Sequence, residues 1–150
     1  MQGVRRFSHE LRPDVLDQLG LLPALETLTE DMNKEGKVSA RMEAVGTGKR
    51  PSPDVELVLF RIAQKALHNV RRHSRAKEVV VRVKFSHRKV KLNVIDNGRG
   101  FELPEVLGDF AGKGKLGLIG MYERARLLNG GFSVKSQAGK GTTVSVEVAG

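Results

Sequence analysis

The order of apolar patterns along this 150-residue chain predicts an α/β domain with a mixed or antiparallel sheet and helices over one face. Three observations carry that expectation. An apolar stripe recurs at helical intervals from Val55 to Val70. Two period-two runs, 79–85 and 90–96, follow it with only Ser86, His87, Arg88 and Lys89 between them, which is the spacing of a hairpin. Two further alternating runs, 132–137 and 142–148, close the chain around Ala138-Gly139-Lys140-Gly141.

Taken in order, Val4–Leu11 ends in Arg12-Pro13, where a proline stops or bends a helix, so residues 1–13 read as the tail of a helix belonging to something upstream. Residues 14–150 then form one domain. From Leu16 to Met32 the apolar residues keep helical intervals but are interrupted by Gly20 and Pro23, which places a helix start near Pro23. Val38, Ala40, Met42 and Ala44 alternate as in a strand, and 47–51 reads as a turn. Ser52 suits an N-cap, Pro53 the first helical position, and Asp54 and Glu56 the positive end of the long helix. Glu102–Leu116 is a Gly- and Lys-rich loop. Leu118–Leu128 reads as a helix stopped by Asn129-Gly130-Gly131.

Composition narrows the function classes. Hydrophobic residues make up 39% and charged residues 29%, as in an ordinary globular domain. There is no cysteine, which excludes disulfides and thiolate metal sites. The apolar runs are too short to span a bilayer, and no signal-peptide pattern follows Met1, so a soluble cytoplasmic domain is expected. The net charge is +9, and nine Lys/Arg against Glu78 alone lie between Arg71 and Lys91. Such a stripe attracts polyanions or simply solvates a basic face. With one tyrosine and no tryptophan there is no stacking platform for single strands, and no nucleic-acid partner is expected. His9, His68, His73 and His87 lack metal-ligand spacing, and no nucleophile elbow is present.

Three segments carry candidate chemistry. Lys65, Asn69 and Arg72 are spaced four and three apart, so they share a line bordering the apolar stripe. Asparagine offers a neutral oxygen to Mg²⁺, and Arg72 and His73 suit phosphate oxygens, although taken alone the line fits a solvated helix face better. Asp96-Asn97-Gly98-Arg99-Gly100-Phe101 follows a strand; it suits either a plain turn or a site where an aspartate accepts from an exocyclic amine while glycines admit a ligand. Gly112 to Gly120 is a glycine loop feeding a helix start, suited to anions but without the spacing of a P-loop.

In this order the segments resemble the ATP-binding catalytic domain of sensor histidine kinases, within the GHKL ATPase superfamily shared with gyrase and MutL. Phe60–Ser74 (FRIAQKALHNVRRHS) is similar to that family's N box, Asp96–Phe101 to its first glycine box, Gly117–Ala125 to its second, and Gly141-Thr142-Thr143 to its threonine motif. Leu11–Leu21 resembles the opening of the subgroup containing nitrate sensors and DesK-like kinases. The resemblance implies a two-layer α/β (α+β) sandwich of the Bergerat type, its mixed, mostly antiparallel sheet covered on one face by helices.

It also implies roles. Asn69 would hold Mg²⁺ on the phosphates of ATP, with Arg72 and His73 steadying them. Asp96 would accept from the adenine amine, helped by Thr142 or Thr143 through a water, with Gly98 and Gly100 shaping the pocket. Residues 103–116 would be a lid, and Gly117, Leu118 and Gly120 would give backbone contacts to phosphate. The γ-phosphoryl group would pass to a histidine on an upstream dimerisation domain and on to a response regulator. The isolated domain would be a monomer, its parent a homodimer that in many such kinases is membrane-anchored.

Two features depart from the pattern. Lys65 stands where the family has a glutamate that assists transfer. A lysine reverses the charge there and is no base while protonated, so a nucleotide-sensing module without transferase activity is the alternative. And none of the four histidines lies in the phosphoacceptor motif.

Overall fold

The computed structural model describes residues 14–46, 50–100 and 118–149. Its elements are α1 (Asp14–Leu19), α2 (Leu21–Glu35), β1 (Ser39–Val45), α3 (Pro53–Asn69), a π-helical turn (Val70–Ser74), β2 (Glu78–Ser86), β3 (Lys89–Asp96), α4 (Leu118–Leu127), β4 (Gly131–Gln137) and β5 (Gly141–Ala149). The sheet order is β1-β2-β3-β5-β4. β1 runs parallel to β2, with α3 as the crossover between them, and every other pairing is antiparallel.

One face of this sheet is apolar. Val79, Val81 and Val83 of β2, Val90, Leu92 and Val94 of β3, and Val144, Val146 and Val148 of β5 are buried. They join one core with Leu59, Ile62, Ala63 and Ala66 of α3 and Met121 and Ala125 of α4. Alternate positions such as Arg41, Arg82, Lys84, Lys91 and Ser145 point the other way, as the period of two requires. The mixed two-layer architecture expected from the sequence is therefore the one observed. The basic stripe between Arg71 and Lys91 is divided by it: Arg82, Lys84 and Lys91 occupy the outer sheet face, while Arg71 and Arg72 lie on the π turn.

Local differences have local causes. The helix expected near Pro23 begins at Leu21, because proline is compatible with a first turn, and Gly20 at φ 98° separates it from α1. The hairpin connecting β2 and β3 has two residues, His87 and Arg88, rather than four; Ser86 pairs with Lys89, and Arg88 takes φ 58°. At the sheet edge, the side-chain amide of Asn33 bonds both the C=O (2.9 Å) and the N–H (2.8 Å) of Ala40, occupying backbone groups that edge strand β1 would otherwise expose.

Ser52 caps α3 as expected, accepting from the Val55 N–H. Glu56 lies in the first turn of α3 as expected, and it is also 1% exposed. Its carboxylate pairs with Arg50 at 3.0 Å and accepts the Leu21 N–H at 2.9 Å, while Arg50 also donates to the carbonyl of Leu16. This clamp joins α1, α2 and α3 at one point.

Candidate functional site

The polar residues that interrupt the apolar face gather at one end of the sheet. Asp96 ends β3 on the helix-covered side, directly opposite Thr142 of β5, which is opposite Ser136 of β4. Asp96, Thr142 and Ser136 thus form one cross-strand row. Asp96 is 8% exposed, and its Oδ1 accepts the Gly98 N–H at 2.8 Å. Burial pushes its carboxyl above the ordinary range, against the lowering effect of the Gly98 and Thr142 backbone N–H groups. A carboxyl so placed offers an acceptor to a ligand entering at the sheet end.

The backbone around Asp96 is held from both sides. Asn97 Oδ1 accepts the N–H groups of Lys77 and Glu78, both at 3.0 Å, pinning the turn to the start of β2. Gly139 N–H donates to the Arg99 carbonyl at 2.6 Å, which clasps the turn against the β4–β5 connection. Gly100 has φ 64°, and a Cβ on it would overlap the Gln137 carbonyl; a Cβ on Gly141 would overlap that of Asp96. These two glycines are required by backbone approach within the protein itself. Gly98 is buried.

Thr142 and Thr143 are separated by the sheet. Thr142 shares the face of Asp96, whereas Thr143 pairs with Ile95 and occupies the opposite face. The Thr142 hydroxyl lies 2.8 Å from Ser136 Oγ.

On α3, Lys65 is exposed and Asn69 half-buried one turn later. α3 ends at Asn69 and Arg72 lies on the π turn Val70–Ser74, whose repeat is wider than that of the α-helix. Arg72 is exposed. The neighbouring Arg71 anchors the turn to α2 through Glu35 at 2.9 Å. Lys65 also lines a groove of about 570 Å³ between α2 and α3, with Asp31 and Glu35 on the α2 wall; this groove is separate from the Asp96 row. Only the backbone of His73 is described. The loop 102–116 and Gly117 lie outside the described residues, as do His9 and the tail 1–13.

Leu118 is buried at the start of α4 and Gly120 is exposed in its first turn. A Cβ on Gly120 would meet nothing within 4 Å, so no contact within the described protein demands a glycine there. A glycine inside a helix costs about 1 kcal/mol relative to alanine, and close approach of a ligand to the helix start is a physical reason to keep one.

The buried carboxylate that ends β3 lies on the sheet face covered by α3, the helix whose last residue is Asn69. The family model described as histidine kinase-, DNA gyrase B-, and HSP90-like ATPase matches residues 54–149, and the chain belongs to that family. It is 40% identical over 143 residues to the signal transduction histidine-protein kinase/phosphatase DegS of Bacillus subtilis, covering 91% of this chain and 36% of that protein. It is 34% identical over 148 residues to the oxygen sensor histidine kinase NreB of Staphylococcus carnosus, covering 99% of this chain and 42% of that protein. The chain therefore spans about two-fifths or less of these relatives' length. Among solved structures, the catalytic domain of histidine kinase ThkA superposes with a TM-score of 0.67 at 11% identity, over 86% of this chain and 89% of that one. The blue-light activated histidine kinase of Erythrobacter litoralis EL346 does so at 0.67 and 19%, over 86% and 41%. Both share the fold.

Sequence reading missed Asn97, Ser136 and the Arg50–Glu56 clamp. Asn97 was visible only as a turn residue, and Ser136 as one more alternating strand position.

Proposed function

We propose that this domain binds Mg-ATP and donates its γ-phosphoryl group to a histidine carried by a separate helical domain of the same kinase. The observation that carries the reading is the buried, acceptor-bearing Asp96 at the sheet end, facing α3 and bordered by Thr142.

Asp96 would accept from the exocyclic amine of adenine, with Thr142 beside it; Thr143, on the other face, is left out of this pocket. Gly98 N–H holds the carboxyl in place, and the approaches at Gly100 and Gly141 fix the pocket's edge. From there the triphosphate would run toward Asn69, Arg72 and His73 on one side and the backbone N–H groups of Gly117, Leu118 and Gly120 on the other. Asn69 would hold Mg²⁺ through its neutral side-chain oxygen, which suits an ion that keeps waters and takes few protein ligands. When bound, the ion neutralises charge on the phosphate oxygens; the chain's own part is positioning and dipole alignment, without a covalent protein nucleophile.

Lys65 favours a second reading. It is an exposed cation one turn before Asn69, and while protonated it takes no proton from an accepting histidine. On that reading the domain senses nucleotide and transfers nothing. An upstream dimerisation and phosphoacceptor domain, preceding a boundary near residue 13, and a response regulator complete the first reading, with a cytoplasmic catalytic domain.

Calorimetric titration of Mg-ATP into the native chain and Lys65→Glu tests nucleotide binding, and supplying a competent helical domain with labelled ATP tests transfer. Binding with phosphohistidine formation supports the kinase reading. Binding without it in the native chain, restored by Lys65→Glu, supports the sensing module. No binding by either folded protein refutes both.

A further inference from the structure

The face of the sheet turned away from the helices takes no part in the site described above. None of its outward side chains on β2, β3 and β5 is buried, and its charges are unevenly compensated. In the middle of the sheet, Glu43 pairs with both Arg41, at 3.1 Å, and Arg82, at 2.9 Å. One row nearer the β2–β3 hairpin, the register sets Lys84 directly opposite Lys91. Val45, 43% exposed, flanks Lys84 on β1, and Glu147 flanks Lys91 on β5. Glu147 is drawn aside to Lys89, at 3.8 Å. Among the described residues neither Lys84 nor Lys91 has an ion pair. Arg88, exposed in the hairpin turn, adds a further cation.

Like charges directly opposite on neighbouring strands destabilise a sheet, because their Cβ atoms lie only roughly 5 Å apart. This end of the face nonetheless holds Lys84, Arg88, Lys89 and Lys91 against Glu147 alone. The Glu43 row shows that the same face accommodates a neutralising acid one row away. Charge held at a cost to the fold points to a partner of opposite sign.

The chemistry of the surface narrows that partner. Protein interfaces are built around aromatic and apolar anchors and are depleted in lysine, whereas Val45 is the one apolar side chain in the Lys84–Lys91 row. Single-stranded nucleic acid calls for stacking side chains, and Tyr122, the one tyrosine, lies on α4 in the other layer. Lysine is a compact charge on a flexible stem, suited to anionic groups that move beneath it rather than to fixed bidentate contacts. Lysines on an open sheet face, with an exposed valine among them, fit the headgroup layer of an anionic bilayer.

We infer that the hairpin end of the outer sheet face, carrying Lys84, Arg88, Lys89 and Lys91, is a docking surface for an anionic lipid bilayer. Lys89 and Asp96 stand at opposite ends of β3, roughly 23 Å apart, so nothing in this surface depends on the nucleotide site.

The test is co-sedimentation of the chain with vesicles of equal parts phosphatidylglycerol and phosphatidylcholine, and with vesicles of phosphatidylcholine alone. The variants are Lys84→Gln/Lys91→Gln, the charge-conserving Lys84→Arg/Lys91→Arg, and Lys34→Gln/Lys37→Gln. The last pair removes the same charge at the other end of the sheet, before Ser39, which pairs with Glu78. The native chain should bind the anionic vesicles, ignore the neutral ones and be released as salt rises. A basic residue near such a surface contributes about 5-fold, so Lys84→Gln/Lys91→Gln should lower partitioning by about 25-fold. The arginine pair should keep binding, and Lys34→Gln/Lys37→Gln should stay near native. Because it removes a like-charge confrontation, Lys84→Gln/Lys91→Gln should melt no lower than the native chain. A lower midpoint would show these lysines to be structural and overturn the inference. No binding to anionic vesicles at low salt, or equal binding to neutral ones, overturns it as well. Equal loss in Lys34→Gln/Lys37→Gln would reduce the effect to net charge and remove the assignment to this face. Duplex DNA that displaces the vesicles, and itself loses affinity in Lys84→Gln/Lys91→Gln, would make nucleic acid the occupant and overturn the lipid assignment.

Discussion

Asp96→Asn exchanges one oxygen of a carboxyl that is 8% exposed for an amide nitrogen, with almost no change in volume. The backbone around it is already committed: Gly98 N–H donates to Oδ1 at 2.8 Å, and the Thr142 N–H also lowers the carboxyl pKa as a donor. An asparagine must keep its oxygen toward these donors, so its amino group replaces the remaining acceptor. Facing the adenine amine, that is donor against donor. A hydrogen bond to a charged group contributes roughly 1.5–3 kcal/mol, so ATP affinity should fall roughly 10- to 150-fold.

The same variant carries a prediction of opposite sign for stability. Burial raises the Asp96 pKa in the folded state, so between the unfolded value and the raised one the native state holds more protons than the unfolded chain. Stability from this group is then fully present below the unfolded value and lost as pH rises through the folded one. Above the folded-state value the buried charge is a burden on the fold that asparagine lacks. The ligand-free variant should gain in melting temperature on the native chain as pH rises through that value and lose the gain in acid, and the native advantage in ATP affinity should shrink as pH falls. Calorimetric titration and thermal melts across pH measure both. Affinity within about twofold of native at neutral pH, with the fold intact, would refute the assignment of Asp96 to the base.

Gly120→Ala should stabilise α4 by about 0.5–1 kcal/mol, since a Cβ there meets nothing within 4 Å, yet weaken Mg-ATP binding; equal affinity would remove the phosphate role of this position. Thr142→Val should weaken ATP binding and Thr143→Val should leave it unchanged, because the two lie on opposite faces of β5; the reverse order in titrations would contradict the register. Arg50→Ala strips the buried Glu56 carboxylate of its cation and should lower the calorimetric unfolding midpoint more than Arg41→Ala, whose pair with Glu43 lies among half-exposed side chains. Equal shifts would show the clamp to be ordinary surface electrostatics.

Local signals decided much of this protein. Ser52-Pro53 and the apolar stripe behind them set the start and buried face of α3. The alternating valines of 79–85 and 90–96 set the hairpin and its inner face, and Asp96-Asn97-Gly98 marked the strand end where the polar row sits. Each depends on residues a few positions apart, so the linear pattern contains the information. Three other matters depend on groups distant in sequence, and only tertiary structure decided them. Whether Thr142 or Thr143 faces Asp96 turns on strand register: in the β3–β5 pairing Asp96 lies opposite Thr142 and Ile95 opposite Thr143. A shift of one residue would have reversed both faces. Glu56 reads from the sequence only as a first-turn acid; its burial comes from Leu21 and Arg50 closing over it. And the helix changes to π geometry at Val70, where Arg71 reaches across to Glu35 of α2.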